Sequence, residues 1–341
     1  MTRLILSLDG GGIRGAATTQ FLTHVESALA QENESIRDYV DFYAGTSTGS
    51  IIALGLATTK LTMSEINDLY NYDNAQEIFH KYEGFLDLDG INAPKYGASG
   101  KTKLLKDSMG EATLGSVGEG KHVLAVSYAI EKRAPMVFKS TITAHKTLLA
   151  SEVADASSAA PTYFPTHEMD IPAASKDDYF LIDGGVIANN PTMCAVSEVR
   201  KIWPHIAMEN IRVLSIGTGF MTEPINGPDS KKWGALQWVT EGHMIDVLSD
   251  ERVVAYQAMA ILNQGSYIRV NAELQKQPGF QTPPAEAMDN VTKENIQNLK
   301  SLGDFWFEQY GEQAIELIKG TYTGPSMDRI NPTTGKPKVQ S

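Results

Sequence analysis

The stretch Leu4–Ala30, LILSLDGGGIRGAATTQFLTHVESALA, changes character twice within a short span. Leu4, Ile5, Leu6 and Leu8, with Ser7 among them, read as a short buried strand. Asp9–Gly12 cannot continue it, because glycine loses much conformational entropy on ordering and brings no side chain to pack. From Ala16 the pattern is helical, with Ala17, Phe21, Val25 and Leu29 recurring on one face. The glycines therefore sit at a strand-to-helix turn, where unpaired N–H groups can point at an anion. On these residues two readings stay open: a tight turn without a ligand, or a cradle for a phosphate or an oxyanion. It is no Walker A loop, since no G-K-[ST] closes it. Gly10, Gly12 and Gly15 keep the dinucleotide spacing, but Glu32 falls past a helix instead of at a second strand end.

The alternation continues along the chain. YVDFYA (39–44) is a second apolar run, followed by GTSTG and the helical SIIALGLATT. HVLAVSYAI (122–130), MVFKSTI (136–142), YFLI (179–182) and IRVLSIGTG (211–219) read as strands, and YIRVN (267–271) as an edge strand. Helices are expected over Leu148–Ala154, after Asn190-Pro191, across Lys231–Asn263 with a break near Gly242, and as a pair over Val291–Ile318. GFLDLDGINAPKYGASG (84–100) looks like an exposed excursion, and 321–341 like a flexible tail. Strands alternating with helices predict an α/β fold with a largely parallel sheet covered on both faces.

Composition bounds the function. The chain has 341 residues, 42% of them apolar, enough for a sizeable core. Its 29 basic against 41 acidic residues give a net charge of -12, which argues against DNA or RNA as a partner. Cys194 stands alone, so neither an internal disulfide nor a multi-cysteine metal site is open to the chain; it reads as a buried thiol. The apolar run in MTRLILSLDGGG is too short for a signal peptide, and no segment reaches the ~20 apolar residues of a membrane helix. A cytoplasmic protein is expected.

GTSTG, Gly45–Gly49, matches G-x-S-x-G, with Ser47 between a strand and a helix as that motif requires. The helix N-terminus would favour developing negative charge. A hydroxyl nucleophile needs a base. None of the seven histidines (24, 80, 122, 145, 167, 205 and 243) lies at an obvious strand-end loop. Asp183 does, directly after YFLI, at the kind of edge where open α/β sheets place their sites. A turn aspartate bonded to Gly184 and Gly185 is an equal reading of that stretch.

Taken together, DGGGIRG (9–15), GTSTG (45–49) and DGG (183–185) resemble the three signatures of the patatin-like phospholipase family, in the family's order and over roughly Leu4 to Gly219. SEVADASSAAPTYFP (151–165) and GGVIANNP (184–191) look like the segments flanking the family's DGG. The resemblance implies a bacterial serine lipid acyl hydrolase with a three-layer α/β/α fold. It implies one domain over 1–320, with a family core at 4–219 and a helical part at 231–320. It assigns Ser47 as nucleophile, Asp183 as base, and Gly10, Gly11 and Gly12 as the oxyanion hole. Arg14, Gly45, Gly49, Gly184 and Gly185 support them, and neither metal nor cofactor is called for. Ser50 departs from the further glycine many members carry; in the first turn of a helix that change should cost little.

Within this reading, Asp9 is expected to fix the glycine turn through backbone N–H groups, and Arg14 to brace it by satisfying loop carbonyls. IGTG (216–219) is taken as a plain strand-end turn. An aspartate near its ordinary pKa of ~3.9 is a weak base, so burial has to raise it. The implied substrate is a phospholipid or acylglycerol at a membrane surface, with headgroup and sn-position open. Trp233–Leu248 is either a membrane-touching segment or a packed helix. Some bacterial relatives are antiviral effectors switched on by a cyclic dinucleotide, and the chain resembles those too, although no motif in it marks a nucleotide site. The competing class is a non-hydrolytic α/β protein binding an anion or nucleotide at the glycine turn.

Overall fold

The computed structural model describes residues 2–81, 93–172, 179–222, 224–234, 237–238, 247–274, 280 and 282–339. Ten strands among them form one sheet: β1 (Arg3–Leu8), β2 (Phe42–Thr46), β3 (His122–Ala129), β4 (Ala134–Lys139), β5 (His167–Met169), β6 (Tyr179–Asp183), β7 (Ile211–Ile216), β8 (Tyr267–Val270), β9 (Met327–Ile330) and β10 (Pro337–Val339). Their order is β10-β9-β8-β7-β1-β2-β3-β6-β5, with β4 also paired to β3. The centre, from β9 through β3, is parallel. The margins are antiparallel, at β10 on one side and at β4, β6 and β5 on the other.

Alternation along the strands builds three layers. Leu4, Leu6 and Leu8 of β1 and Tyr43 of β2 enter a core beneath the Gly15–Ala30, Thr48–Thr58, Ala150–Ser157 and Lys293–Lys319 helices. Ile5, Phe42 and Ala44 face the other way, toward the Thr192–Ile202 and Arg252–Ile261 helices. This is the expected α/β/α architecture. β1 is followed by neighbours on one side, β2 and β3, and later by β7 and β8 on the other. The glycine turn thus lies at the carboxyl end of the strand where the winding reverses, where open α/β sheets form their crevice.

Several sequence expectations need correction. YIRVN is no edge strand: β8 lies between β7 and β9. Val291–Ile318 gives one helix, Lys293–Lys319, not two. It lies against the Gly15–Ala30 helix so closely that a Cβ on Gly303 would meet the Ala17 carbonyl oxygen at 2.5 Å. After Gly320, which ends that helix in the left-handed conformation, the segment read as a loose tail supplies β9 and β10. Within Lys231–Asn263 the clear helix is Arg252–Ile261; residues 235–236 and 239–246, His243 among them, lie outside the described residues. So do 84–92 of the expected excursion, whose last residues open the Ser99–Met109 helix.

Candidate active site

The elbow at Ser47 is built by what flanks it. β2 ends at Thr46, the helix begins at Thr48, and Ser47 between them has φ 53° and ψ −125°, a conformation that costs a non-glycine residue about 1–3 kcal/mol. Gly49 makes the turn sterically feasible: a Cβ there would sit 2.1 Å from the Leu8 carbonyl oxygen. Gly45 is equally hemmed in, by the Gly49 carbonyl at 2.3 Å. Ser50, where a glycine was the common alternative, is fully buried and donates its hydroxyl to the Ser47 carbonyl at 2.6 Å. The substitution is accommodated inside the elbow.

The sheet register brings Asp183 to the same place. Thr46 pairs with Val126 of β3, and Asp183 pairs with the next residue, Ser127. The expectation that Asp183 leaves a strand at the sheet's carboxyl edge is right in place but wrong in cause. β6 runs antiparallel to β3, so it enters that edge from outside and stops at Asp183, two residues in from the end of β3. The carboxyl faces the Ser47 hydroxyl across the head of one cavity and accepts from the Gly185 N–H at 2.7 Å. Burial pushes its pKa up to about 6 from 3.8, against the pull of the Ser47 hydroxyl, the Gly185 N–H and the Lys101 charge. The weak-base problem is met in the expected direction.

Both groups open onto one cavity with Gly11 and Gly12, walled by apolar side chains such as Ile51, Leu69, Phe79, Leu105, Phe164 and Met288. No histidine among the described residues lines it. Of the three glycines expected to form an oxyanion hole, Gly10 has its N–H engaged by the Asn189 carbonyl at 3.1 Å. Its carbonyl is held by the Thr218 hydroxyl at 2.7 Å, so IGTG does more than end a strand. Gly11 and Gly12 have no hydrogen-bond acceptor for their N–H groups among the described residues. Gly12 has φ +56°, and a Cβ there would meet the Met288 carbonyl oxygen at 2.4 Å. The Arg14 guanidinium donates to the carbonyls of Gly11 (3.3 Å) and Glu286 (3.4 Å).

Asp9 departs from expectation. Its carboxylate is gripped by both terminal nitrogens of Arg269, fully buried in β8. The same guanidinium meets Glu251 at 2.8 Å and donates to Ser215 at 2.8 Å. Sequence reasoning missed Arg269, although an arginine inside the apolar YIRV was a signal that a buried anion had to face it. Lys101 was missed as well. It is 2% exposed and sits in the cavity wall. Cys194 lies half-buried on the Thr192–Ile202 helix, and burial pushes its thiol up. Trp233 packs edge-on against Trp238, with ring centres 5.4 Å apart.

The family model for patatin-like phospholipases matches residues 6–196. The chain belongs to the patatin-like phospholipase family. Its match takes in the glycine turn, the Ser47 elbow and the Asp183 turn. The chain is similar to patatin-like protein 2 of Oryza sativa subsp. indica, at 28% identity over 96% of this chain and 89% of that protein. Patatin-like protein 2 of Arabidopsis thaliana is 30% identical over 88% and 81%. A cGAMP-activated phospholipase of Escherichia coli is 34% identical over 63% and 61%. Relatives come from plants and from a bacterium, so the likeness does not favour the bacterial origin expected from the motifs. As a patatin-like phospholipase the protein is an ester hydrolase. No helix among the described residues is long and apolar enough to cross a membrane.

Proposed function

We propose that this patatin-like protein cleaves fatty-acyl ester bonds of phospholipids or acylglycerols through a Ser47–Asp183 dyad and an acyl-enzyme. The observation that carries the reading is that Ser47, on its strained elbow, and the buried Asp183 carboxyl open together onto one apolar cavity. In the first half-reaction Asp183 takes the Ser47 proton as the oxygen attacks the ester carbon. The Gly11 and Gly12 N–H groups receive the negative charge forming on the carbonyl oxygen, donors of a kind worth ~2.7–4 kcal/mol each. Collapse expels the alcohol, which leaves with the proton from Asp183. Water then attacks the acyl-serine and gives its proton to Asp183; collapse frees the fatty acid as Asp183 returns that proton to the Ser47 oxygen. The apolar walls suit an acyl chain and leave the headgroup outside, which fits work at a membrane surface by a cytoplasmic protein.

A fluorophosphonate probe tests this against a module that merely binds an anion or nucleotide. Ser47 should be labelled, and Ser47→Ala should lose labelling and at least ~10³-fold in nitrophenyl-ester turnover while keeping its fold. A wild-type protein that neither labels nor hydrolyses would make the glycine turn a binding site only.

The identity to the cGAMP-activated phospholipase supports a second layer, activation by a cyclic dinucleotide. Hydrolysis of a phospholipid and acylglycerol panel should then rise when a cyclic dinucleotide is added. Equal rates with and without it would remove that layer and leave the hydrolase reading intact.

A further inference from the structure

Behind the site, the segment Asp155–Ala159 joins the nucleophile to the base. Ser157 accepts the Ser47 N–H on its hydroxyl at 3.0 Å and donates that hydroxyl to the Val126 carbonyl. Its own carbonyl accepts the Gly184 N–H at 3.3 Å, and the Ala159 carbonyl accepts the Asp183 N–H at 2.9 Å. Residues 157 and 159 thus face the dyad. The carbonyls of residues 155 and 158 face elsewhere, and both end on one cation. The Lys101 ammonium donates to the Asp155 carbonyl (3.2 Å), the Ser158 carbonyl (2.8 Å) and the Ser158 hydroxyl (3.1 Å), and pairs with the Asp155 carboxylate at 3.0 Å.

A cation at this point is costly to bury, and a well-packed apolar side chain commonly serves stability as well or better. Two features make the lysine useful where it is. It satisfies carbonyls at the end of the Ala150–Ser157 helix, where a positive charge also complements the helix dipole. It also forms part of the wall of the cavity onto which Asp183 opens. All of its donors are occupied by the protein, so it is not placed to hold a substrate anion.

We propose that Lys101 is a positioning residue for ester hydrolysis: from the wall of the cavity onto which Asp183 opens, it ties down the 155–159 segment that holds Ser47 and Asp183 and sets its positive charge on the base's side of that cavity. The inference rests on the dyad reading above. Few charged groups compete with it around Asp183. Among the described residues, β3 offers Ser127 and the elbow Ser47. The Ser99–Met109 helix offers Lys101 itself, and the Ala150–Ser157 helix Asp155 and Glu152. β5 adds His167, which meets Glu152 at 2.9 Å and Asp155 at 3.5 Å. Of these charged groups, Lys101 is the one that bears on the Asp183 carboxyl, behind burial, the Ser47 hydroxyl and the Gly185 N–H, and it bears toward the ionised form.

The test is the pH profile of nitrophenyl-ester hydrolysis by the full chain, for wild type, Lys101→Met and Lys101→Arg, beside thermal unfolding. Removing the charge should move the acid limb of kcat/KM upward by at least about half a pH unit, a threefold or greater loss on that limb. It should also lower plateau kcat about tenfold with KM little changed. The arginine variant keeps the charge but not the compact geometry, so its acid limb should stay in place while kcat falls about fivefold. A folded Lys101→Met with an unmoved limb, or Lys101→Arg with wild-type kcat, overturns the proposal; the second criterion decides alone if the methionine variant does not fold. A wild-type protein without hydrolysis or probe labelling would instead refute the dyad reading itself.

Discussion

Two buried charge clusters flank the Ser47 site, and they are used differently. Behind the glycine turn, Arg269 is held between Asp9 and Glu251, and none of the three lines the Ser47 cavity. On the base side, Lys101 pairs with Asp155 and does line it. The first cluster fixes a backbone: Asp9 begins the turn whose Gly11 and Gly12 N–H groups are unpaired among the described residues, and anchoring its side chain from β8 keeps that turn in place without using those donors. The second fixes a backbone too, but presents its charge to the reacting groups. A buried ion pair in a catalytic fold therefore has a mechanical role by default, and gains an electrostatic one only when it borders the reaction space.

The largest effect expected from breaking this contrast is on stability. Arg269→Met leaves Asp9 buried without its cation and Glu251 with Arg329 at 3.8 Å, and should cost about 3–5 kcal/mol, read from urea unfolding. In whatever fraction stays folded, the acid limb of the pH profile should keep its wild-type position, unlike that of Lys101→Met. If the two variants move the limb alike, the division between a mechanical and an electrostatic cluster is false.

A smaller effect separates the two supports of the glycine turn. A Cβ at Gly11 would stand 2.1 Å from the Thr218 hydroxyl oxygen, the group that holds the Gly10 carbonyl. Gly11→Ala should therefore tilt both free N–H groups and lower kcat by ~10²-fold. Arg14→Lys keeps a donor near the Gly11 carbonyl and should stay within about tenfold of wild type. The reverse ranking, with both variants folded, would mean that the guanidinium meets the substrate.

What was legible in the sequence follows the range of the forces involved. The elbow could be read because its strand, glycines, serine and helix lie within one short run, and the steric need for Gly45 and Gly49 is local. The glycine turn could be read for the same reason. The partner of Asp9 could not, since Arg269 reaches it only because β8 pairs with β7 inside the sheet, and YIRVN has the composition of an edge. Lys101 stands in SGKTKLLKD, where a lysine looks like part of a solvated helix face; its burial depends on how that helix meets Asp155. Gly10 was assigned with its neighbours by the family resemblance, and the Asn189 carbonyl that engages its N–H comes from a distant segment. The single Lys293–Lys319 helix was read as two; in the fold its Gly303 lies against the Gly15–Ala30 helix, a contact no local pattern announces.

The last and smallest effect tests burial as the cause of the base strength. Asp183 titrates at about 6 in the folded protein, raised from 3.8 by burial. Between those values the folded chain holds a proton that the unfolded chain has released, so raising the pH through this window lowers stability, and above it the loss is constant. Asp183→Asn removes the buried charge while its amide oxygen can still accept the Gly185 N–H. At pH 8 the variant should be inactive yet more stable than wild type by on the order of 2 kcal/mol, and the two should converge near pH 4. Asp9, also buried, titrates in both proteins and cancels from the difference. Wild-type kcat/KM should rise through pH 6 to a plateau, because the base acts only when ionised. Urea midpoints of the pair across pH 4–8 provide the measurement. A variant less stable than wild type at pH 8 would mean that the carboxylate is held by attraction, and the elevated base strength would need another cause.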